Sequence, residues 1–237
     1  MVIFATICTL FVLGSLVGYI IEVFFRRFVS QKRWMNPGFL VGPYLPIYGF
    51  GVLGLYGLSE LFNFIANNLH WDKWLIIILE IVSIGIVLNV IELITGLIFT
   101  KFFKLKLWDY SNRPGNFKGV ICPLFAVIWT VVGSLYFFFV HPYLKQGITF
   151  LAENTIYYFF AGLILGMILV DFCYSVHLAT TIRKQVNNSK LVFNLEKFKV
   201  YLGEKRENSK KTSPFLIKSA EIKDKIKEFL EKNKKVK

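Results

Sequence analysis

Acidic residues are scarce in this chain of 237 residues, with 15 Asp and Glu against 28 Lys and Arg. Cysteine is rarer still: Cys8, Cys122 and Cys173 stand at no spacing that a disulfide framework or a zinc-type ligand set would need. Each lies in or beside apolar sequence and reads as a small buried hydrophobe. No Gly-x-x-x-x-Gly-Lys-Ser/Thr string occurs, which excludes a P-loop cradle for ATP phosphates. There is no metal-ligand cluster, no Ser-His pair and no activated cysteine, so no cofactor is implied. The formal charge of +13 comes without aromatic interleaving or a recognisable binding motif, and does not point to nucleic acid.

What the chain does have is apolar length. Its hydrophobic content is 55% and its mean hydropathy +0.54, above the ~45–50% apolar content of soluble domains. Roughly 20 mostly apolar residues cross the hydrocarbon core, and five segments qualify: 2–25, 46–66, 74–100, 120–140 and 156–179. The first lacks a basic leading region and a small-residue cleavage site before Arg26, so it is expected to stay as a helix rather than act as a secretory signal.

Lys and Arg near span ends stay cytoplasmic. Arg26, Arg27, Lys32 and Arg33 follow the first span, Lys101, Lys104, Lys106, Arg113 and Lys118 the third, and Arg183 and Lys184 the fifth. This predicts an all-α integral membrane protein of about five transmembrane helices, N-terminus outside and C-terminus cytoplasmic. Anionic lipid headgroups are expected neighbours of the basic loops.

A plan recurs within it. An apolar helix carrying Glu22 leaves through basic residues and a Pro/Gly-rich connection (Pro37, Gly38, Gly42, Pro43), then re-enters at Pro46; a helix carrying Glu92 leaves through lysines and the polar knot 108–116, then re-enters at Pro123. Pro suits the first helical turn, where its missing N–H bonds nothing. The expected organisation is a transmembrane bundle over 1–180, made of parallel helix-pair repeats 11–66 and 81–140 with a fifth span over 156–179, and a basic cytoplasmic tail over 181–237.

Gly14, Gly18 and Glu22 share one helix face, where small residues let another helix approach. Glu22 therefore either points into the bundle or pairs with Arg26 one turn on. Phe39, Leu40 and Val41 form either extended backbone dipping into the membrane, which needs protein or a water-filled cavity around it, or an interfacial loop. Span two carries Gly49, Gly51, Gly54 and Gly57 as a packing surface, with Glu60 solvated at its outer end. Span three carries a stripe of Gly85, Asn89, Glu92 and Gly96, with Asn89 and Glu92 as hydrogen-bonding groups facing other helices. Glu80 lies on a different face and is expected to snorkel to water. In the knot, Asp109 and Ser111 can fix a turn while Trp108 and Tyr110 sit at headgroup level; a structural corner and a ligand site both fit. Span four is expected to end before His141-Pro142. Span five carries Gly162 and Gly166 on one face and Asp171 on another. His70, in the short outer loop, is expected to face water.

In the tail, Val192, Leu195, Phe198 and Leu202 recur at helical spacing, as do Ile222, Ile226, Phe229 and Leu230, with a linker over 208–214. Basic amphipathic helices of this kind suit an anionic bilayer surface or a partner protein.

The strings Asn36-Pro37-Gly38-Phe39-Leu40-Val41-Gly42-Pro43-Tyr44-Leu45-Pro46-Ile47-Tyr48-Gly49-Phe50-Gly51 and Trp108-Asp109-Tyr110-Ser111, together with Gly18 through Glu22, Glu92 and Gly119-Val120-Ile121-Cys122, resemble the ABC-transporter type IV, or CmpB-like, family of bacterial membrane proteins. The resemblance covers roughly residues 11–137. It departs from the family pattern at Val120, where Arg is usual, at Ala126, where Ser or Thr is common, and at Gly96, where Ser is frequent. It implies a multi-pass, permease-like component of the bacterial plasma membrane, with any ATPase a separate subunit and homo-oligomerisation left open.

Three functional readings are consistent with these features. In the first, intramembrane carboxylates line the polar site of a transport component, whose candidate substrate-binding residues are Glu22, Asn89, Glu92, Trp108, Asp109, Tyr110, Asp171, Gly42, Pro43, Pro46 and Tyr48. In the second, Asp109 with Glu92 or Glu22 serves as acid and base in an enzyme acting on lipid or lipid-linked substrate. In the third, the bundle anchors a scaffold whose tail recruits a cytoplasmic partner.

Overall fold

The structure, a computed structural model, describes residues 2–69, 71–186 and 193–208 and four residues near the C-terminus (225, 226, 228 and 229). His70, Val192, Ile222, Leu230 and most of the linker expected over 208–214 lie outside the described residues.

The described chain is mostly helical. Helix α1 spans Val2–Phe25 and is continued by a π-helical turn, Arg26–Ser30. A non-helical connection leads to α2, Pro46–Leu69. Asp72 starts α3, Lys73–Ile98, by accepting a 2.9 Å hydrogen bond from the Trp74 amide, an N-cap that satisfies one of the free donors of the first turn. A second π turn, Phe99–Phe103, leads to the short strand β1, Leu105–Lys106, and then to the knot. Extended Cys122 and Pro123 open α4, Pro123–Leu135, as expected for Pro in a first turn. It runs on through a third π turn, Tyr136–Val140, into α5, His141–Glu153. Helices α6, Ile156–Val186, and α7, Leu195–Asn208, complete the chain, with strand β2, Phe193–Asn194, between them.

Among the described residues five helices are long and apolar enough to cross a membrane, and the chain is a membrane protein. The fourth differs from the expected span. Because α4 and α5 are joined without a break, the candidate span is Pro123–Leu151. Pro142 does not end it, because Pro falls in the first turn of α5, where no hydrogen-bond donor is needed.

Helices α1, α2, α3 and α4 pack successively on one another, and α6 packs on α1. Close approach of α1 and α2 is set at Gly18, where any Cβ would overlap the Tyr48 ring. By contrast, Gly57, Gly162 and Gly166 meet nothing within 4 Å, so the packing surface expected of α2 stops short of Gly57 and the small residues of α6 face away from the described helices. Cys122 is buried, Cys8 is half-buried and Cys173 is exposed, so the expectation of three buried cysteines is corrected at Cys173.

Glu80 also departs from expectation. It does not snorkel: it is 3% exposed, beside Ser59 of α2. Glu60 is paired with Lys145 at 3.0 Å rather than simply solvated.

Residues 39–41 are covered by protein. Leu40 packs with Val12 of α1, Tyr44 and Ile168 of α6. The segment after α6 folds back onto the bundle. β2 pairs in parallel with β1, Leu105 opposite Phe193, and Phe193, Phe198, Tyr201, Ile226 and Phe229 form a core with Leu105, Ala179 and Ile182. The apolar positions of α7 read from the sequence are thus turned toward α6 and β1.

Candidate functional site

Glu22 sits in the last turns of α1, one turn beyond Gly18. Its Oε2 accepts a 2.9 Å hydrogen bond from the Tyr48 hydroxyl, and its Oε1 accepts one of 3.1 Å from Arg26 Nε. Both alternatives left open for Glu22 therefore hold at once. The glycine permits the ring of Tyr48 to lie flat enough on α1 to reach the carboxylate, and the helical spacing brings Arg26 to the other oxygen. Arg26 is itself 9% exposed and also pairs with Glu196 of α7, which accepts a 2.7 Å hydrogen bond from Gln31. A chain of charge-assisted bonds thus runs from Tyr48 to α7.

Glu92 of α3 is 6% exposed. Its Oε1 accepts a 3.1 Å bond from the Tyr110 hydroxyl, the Trp129 side chain lies beside the carboxylate, and Oε2 has no hydrogen-bond partner of good geometry among the described residues. Tyr110 reaches inward from the knot and stacks on Phe125 of α4, with ring centroids 4.4 Å apart. Burial first, and then the Glu92 carboxylate, raises the Tyr110 phenol well above its ordinary pKa, so it remains a hydrogen-bond donor.

Trp129 joins the two carboxylates. Its ring meets Tyr48 edge-on at 5.9 Å while its side chain borders Glu92. Tyr110 also lies within electrostatic range of Glu22 and Tyr48. Glu22, Tyr48, Glu92 and Tyr110 therefore form one polar site between α1, α2, α3 and α4, walled by Phe125 and Trp129. Neither Trp129 nor Phe125 stands out from the sequence as a site residue. Phe125 has a signal, an aromatic two residues after Pro123 as Tyr48 stands two after Pro46; Trp129, in an apolar run, has none.

The other candidates lie apart from this group. Asn89 donates to the Gly85 carbonyl of its own helix at 2.8 Å. Trp108 donates to the Val120 carbonyl at 2.8 Å, tying the knot to the approach of α4. Asp109 accepts from Lys106 at 3.0 Å and from the Ser111 hydroxyl at 2.5 Å. Burial alone would raise its carboxyl pKa, but the bonds from Ser111 and Lys106 outweigh burial and hold it below the ordinary value. Gly119 closes the same turn at φ +69°, where a Cβ would come within 2.5 Å of Ser111 Oγ.

Asp171 of α6 holds the first connection. It accepts from the amides of Val41 at 3.2 Å and Gly42 at 2.7 Å and from Ser175 Oγ at 3.0 Å. Tyr44 lies beside it as well, and its phenol is pushed up to about 12, by burial first and by Asp171 second. Pro43 is exposed, and Pro46 opens α2. Gly96 and Val120 face each other: a Cβ on Gly96 would overlap Val120. Among the described residues no group of three or more His, Cys, Asp or Glu could hold a metal ion.

No curated protein and no solved structure matches the chain. A family model does: residues 9–176, which hold every residue of the polar site except the Glu196 contact, match the family described as "Putative ABC-transporter type IV". The chain belongs to that family.

Proposed function

We propose that the chain is the permease-like membrane component of a transporter and that Glu22, Tyr48, Glu92 and Tyr110 handle a cationic cargo. The observation that carries this reading is the convergence of two carboxylates from different spans, each held by a tyrosine, with one buried oxygen of Glu92 lacking a hydrogen-bond partner among the described residues. Ionisable groups inside spans are costly and are kept where they bind or move something. Two carboxylates among Tyr48, Tyr110, Phe125 and Trp129 offer both charge and π faces, the chemistry that holds an organic cation.

Further features agree with this reading. Each of the first two helix pairs leaves its first helix through a π turn followed by a left-handed lysine, Lys32 at φ 56° and Lys104 at φ 55°, and opens its second with proline, as parallel repeats would. The basic loops then lie in the cytoplasm beside anionic headgroups of the bacterial plasma membrane. With no phosphate-cradling string in the chain, energy comes from a separate ATPase subunit.

The test is binding of radiolabelled tetraphenylphosphonium to the purified full chain in lipid nanodiscs. Saturable binding is expected, weakened about tenfold or more in Glu92→Gln, a change of ~1.4 kcal/mol. Absence of binding to the unmutated chain, or binding by both Glu92→Gln and Glu22→Gln as tight as that of the unmutated chain, refutes the cation site.

A further inference from the structure

A second polar group lies at the opposite end of the same seam between α2, α3 and the α4–α5 span. Glu80 of α3 is 3% exposed, and its Oε1 has no hydrogen-bond partner among the described residues. Ser59 of α2, 1% exposed, lies beside that carboxylate, and its Oγ likewise has no bond of good geometry. His141 is 5% exposed with neither ring nitrogen hydrogen-bonded, and the buried Tyr136 hydroxyl is also without a partner among the described residues. His141 and Tyr136 group with Tyr56 and Glu60 of α2, the helix that also carries Ser59. The His141 ring lies 5.5 Å from that of Tyr56 and 6.0 Å from that of Tyr136, and its Nε2 is 3.7 Å from Glu60.

This end is open. A cavity of about 600 Å³ is lined by Asn63, Asn67, Ile77, Phe137, His141 and Lys145, among others. Asn63 lies one turn beyond Ser59 on α2 and Ile77 one turn before Glu80 on α3, so Ser59 and Glu80 stand one turn deeper than the cavity wall. Deeper still, Leu55, Ile84 and Leu88 close around Gly133 of α4, where a Cβ would come within 3.0 Å of Leu88. Glu92 lies twelve residues beyond Glu80 on α3, about 18 Å along the helix.

A buried carboxylate must be neutralised by a paired cation, a metal or a proton. Lys145, which lines the cavity, is engaged with Glu60 at 3.0 and 3.3 Å, and Lys73 is exposed at the first turn of α3. The charged and titratable groups around the pocket are Tyr56 and Glu60 from α2, Tyr136 from the π turn, and His141 and Lys145 from α5, and no cluster of metal ligands exists among the described residues. We propose that Glu80, beside Ser59, is a proton-binding site filled from the cavity and separated from Glu92 by the apolar layer at Leu55, Ile84 and Leu88.

The geometry stands independently of what Glu92 carries. Loss of tetraphenylphosphonium binding, or its absence, leaves the expectation for Glu80 unchanged.

The test treats the full chain in nanodiscs with dicyclohexylcarbodiimide, which modifies protonated carboxyls in apolar surroundings, and locates adducts by peptide mass spectrometry across a pH series. An adduct on Glu80 is expected that falls at least about tenfold as pH rises and the proton leaves, since one proton gives up to tenfold per pH unit. Ser59→Ala, which removes the hydroxyl beside the carboxylate, is expected to move the midpoint of that fall, and an unmoved midpoint counts against the pairing. No adduct on Glu80 at any pH, or one that does not respond to pH, overturns the proposal.

Discussion

Replacing Asp171 by Asn tests whether the first connection is held in place from α6. The substitution keeps size and shape but turns one carboxylate oxygen into a donor. If the remaining oxygen stays with Val41 N and Ser175 Oγ, at 3.2 and 3.0 Å, the 2.7 Å bond from Gly42 N is lost. A bond to a charged acceptor contributes about 1.5–3 kcal/mol. The two surviving bonds become neutral and weaken by roughly 1–2 kcal/mol together. The expected loss is on the order of 3–5 kcal/mol, confined mostly to residues 38–45. For a chain of this size 1 kcal/mol shifts the melting temperature by about 2–4 °C, so a fall on the order of 10 °C is expected if the connection unfolds together with the bundle. Hydrogen exchange of the Val41 and Gly42 amides, with thermal denaturation in the same nanodiscs, measures both. Unchanged protection at those amides with a melt within about 1–2 °C of the unmutated chain would refute the assignment of Asp171 as the anchor.

Other expectations rest on single contacts. Gly119→Ala places a side chain at φ +69° and within 2.5 Å of Ser111 Oγ; the conformation alone costs about 1–2 kcal/mol, so the melt should drop by at least several degrees. Gly18→Ala drives the Tyr48 ring off α1 and removes its bond to Glu22, so tetraphenylphosphonium binding should fall as it does in Glu22→Gln. Lys199 donates to the carbonyls of Asn36 and Gly38, and burial, with Arg26 nearby, lowers its amine to about 7. Undocked, the amine would return to ~10.4 and bind more protons throughout the interval between. Docking of α7 is therefore weakest below pH 7 and strengthens, by at most about tenfold per pH unit, up to about pH 10.5. Proteolytic protection of residues 195–208 should track that curve, and Lys199→Met should flatten it.

The spans are legible because hydrophobic length alone specifies them, and Pro46 and Pro123 mark helix starts for a reason that needs no tertiary context. Glu22 and Glu92 announce themselves as carboxylates in apolar helices, and Tyr48 and Tyr110 lie in strings that stand out for their Pro, Gly and aromatic content. Their joining through Trp129 is not readable, since a tryptophan inside an apolar run looks the same whether it faces lipid or a carboxylate. Asp171 is visible as an acid in a span, but its partners Val41 and Gly42 are 130 and 129 residues away, and no local pattern encodes such a pairing. Glu80 is readable as an acid of the third span, yet its surroundings are not, because snorkelling and burial differ only in what α2 presents. His141-Pro142 looks like a terminus; the π turn before it realigns the chain so that the proline opens α5 instead.

The fold-back of the segment after α6 has a mechanical consequence. Phe193 sits beside Leu105, Glu196 grips Arg26, and Lys199 holds the carbonyls of Asn36 and Gly38, so one short stretch clasps the segments that leave α1 and α3 to the last turns of α6. Trimming the protein after Lys184 would bare Leu105 and strand Arg26 on one side, producing an unlatched barrel of helices rather than a bundle minus an appendage. A tug on that clasp, by whatever engages it from the aqueous phase, is felt at three helix ends in the same instant.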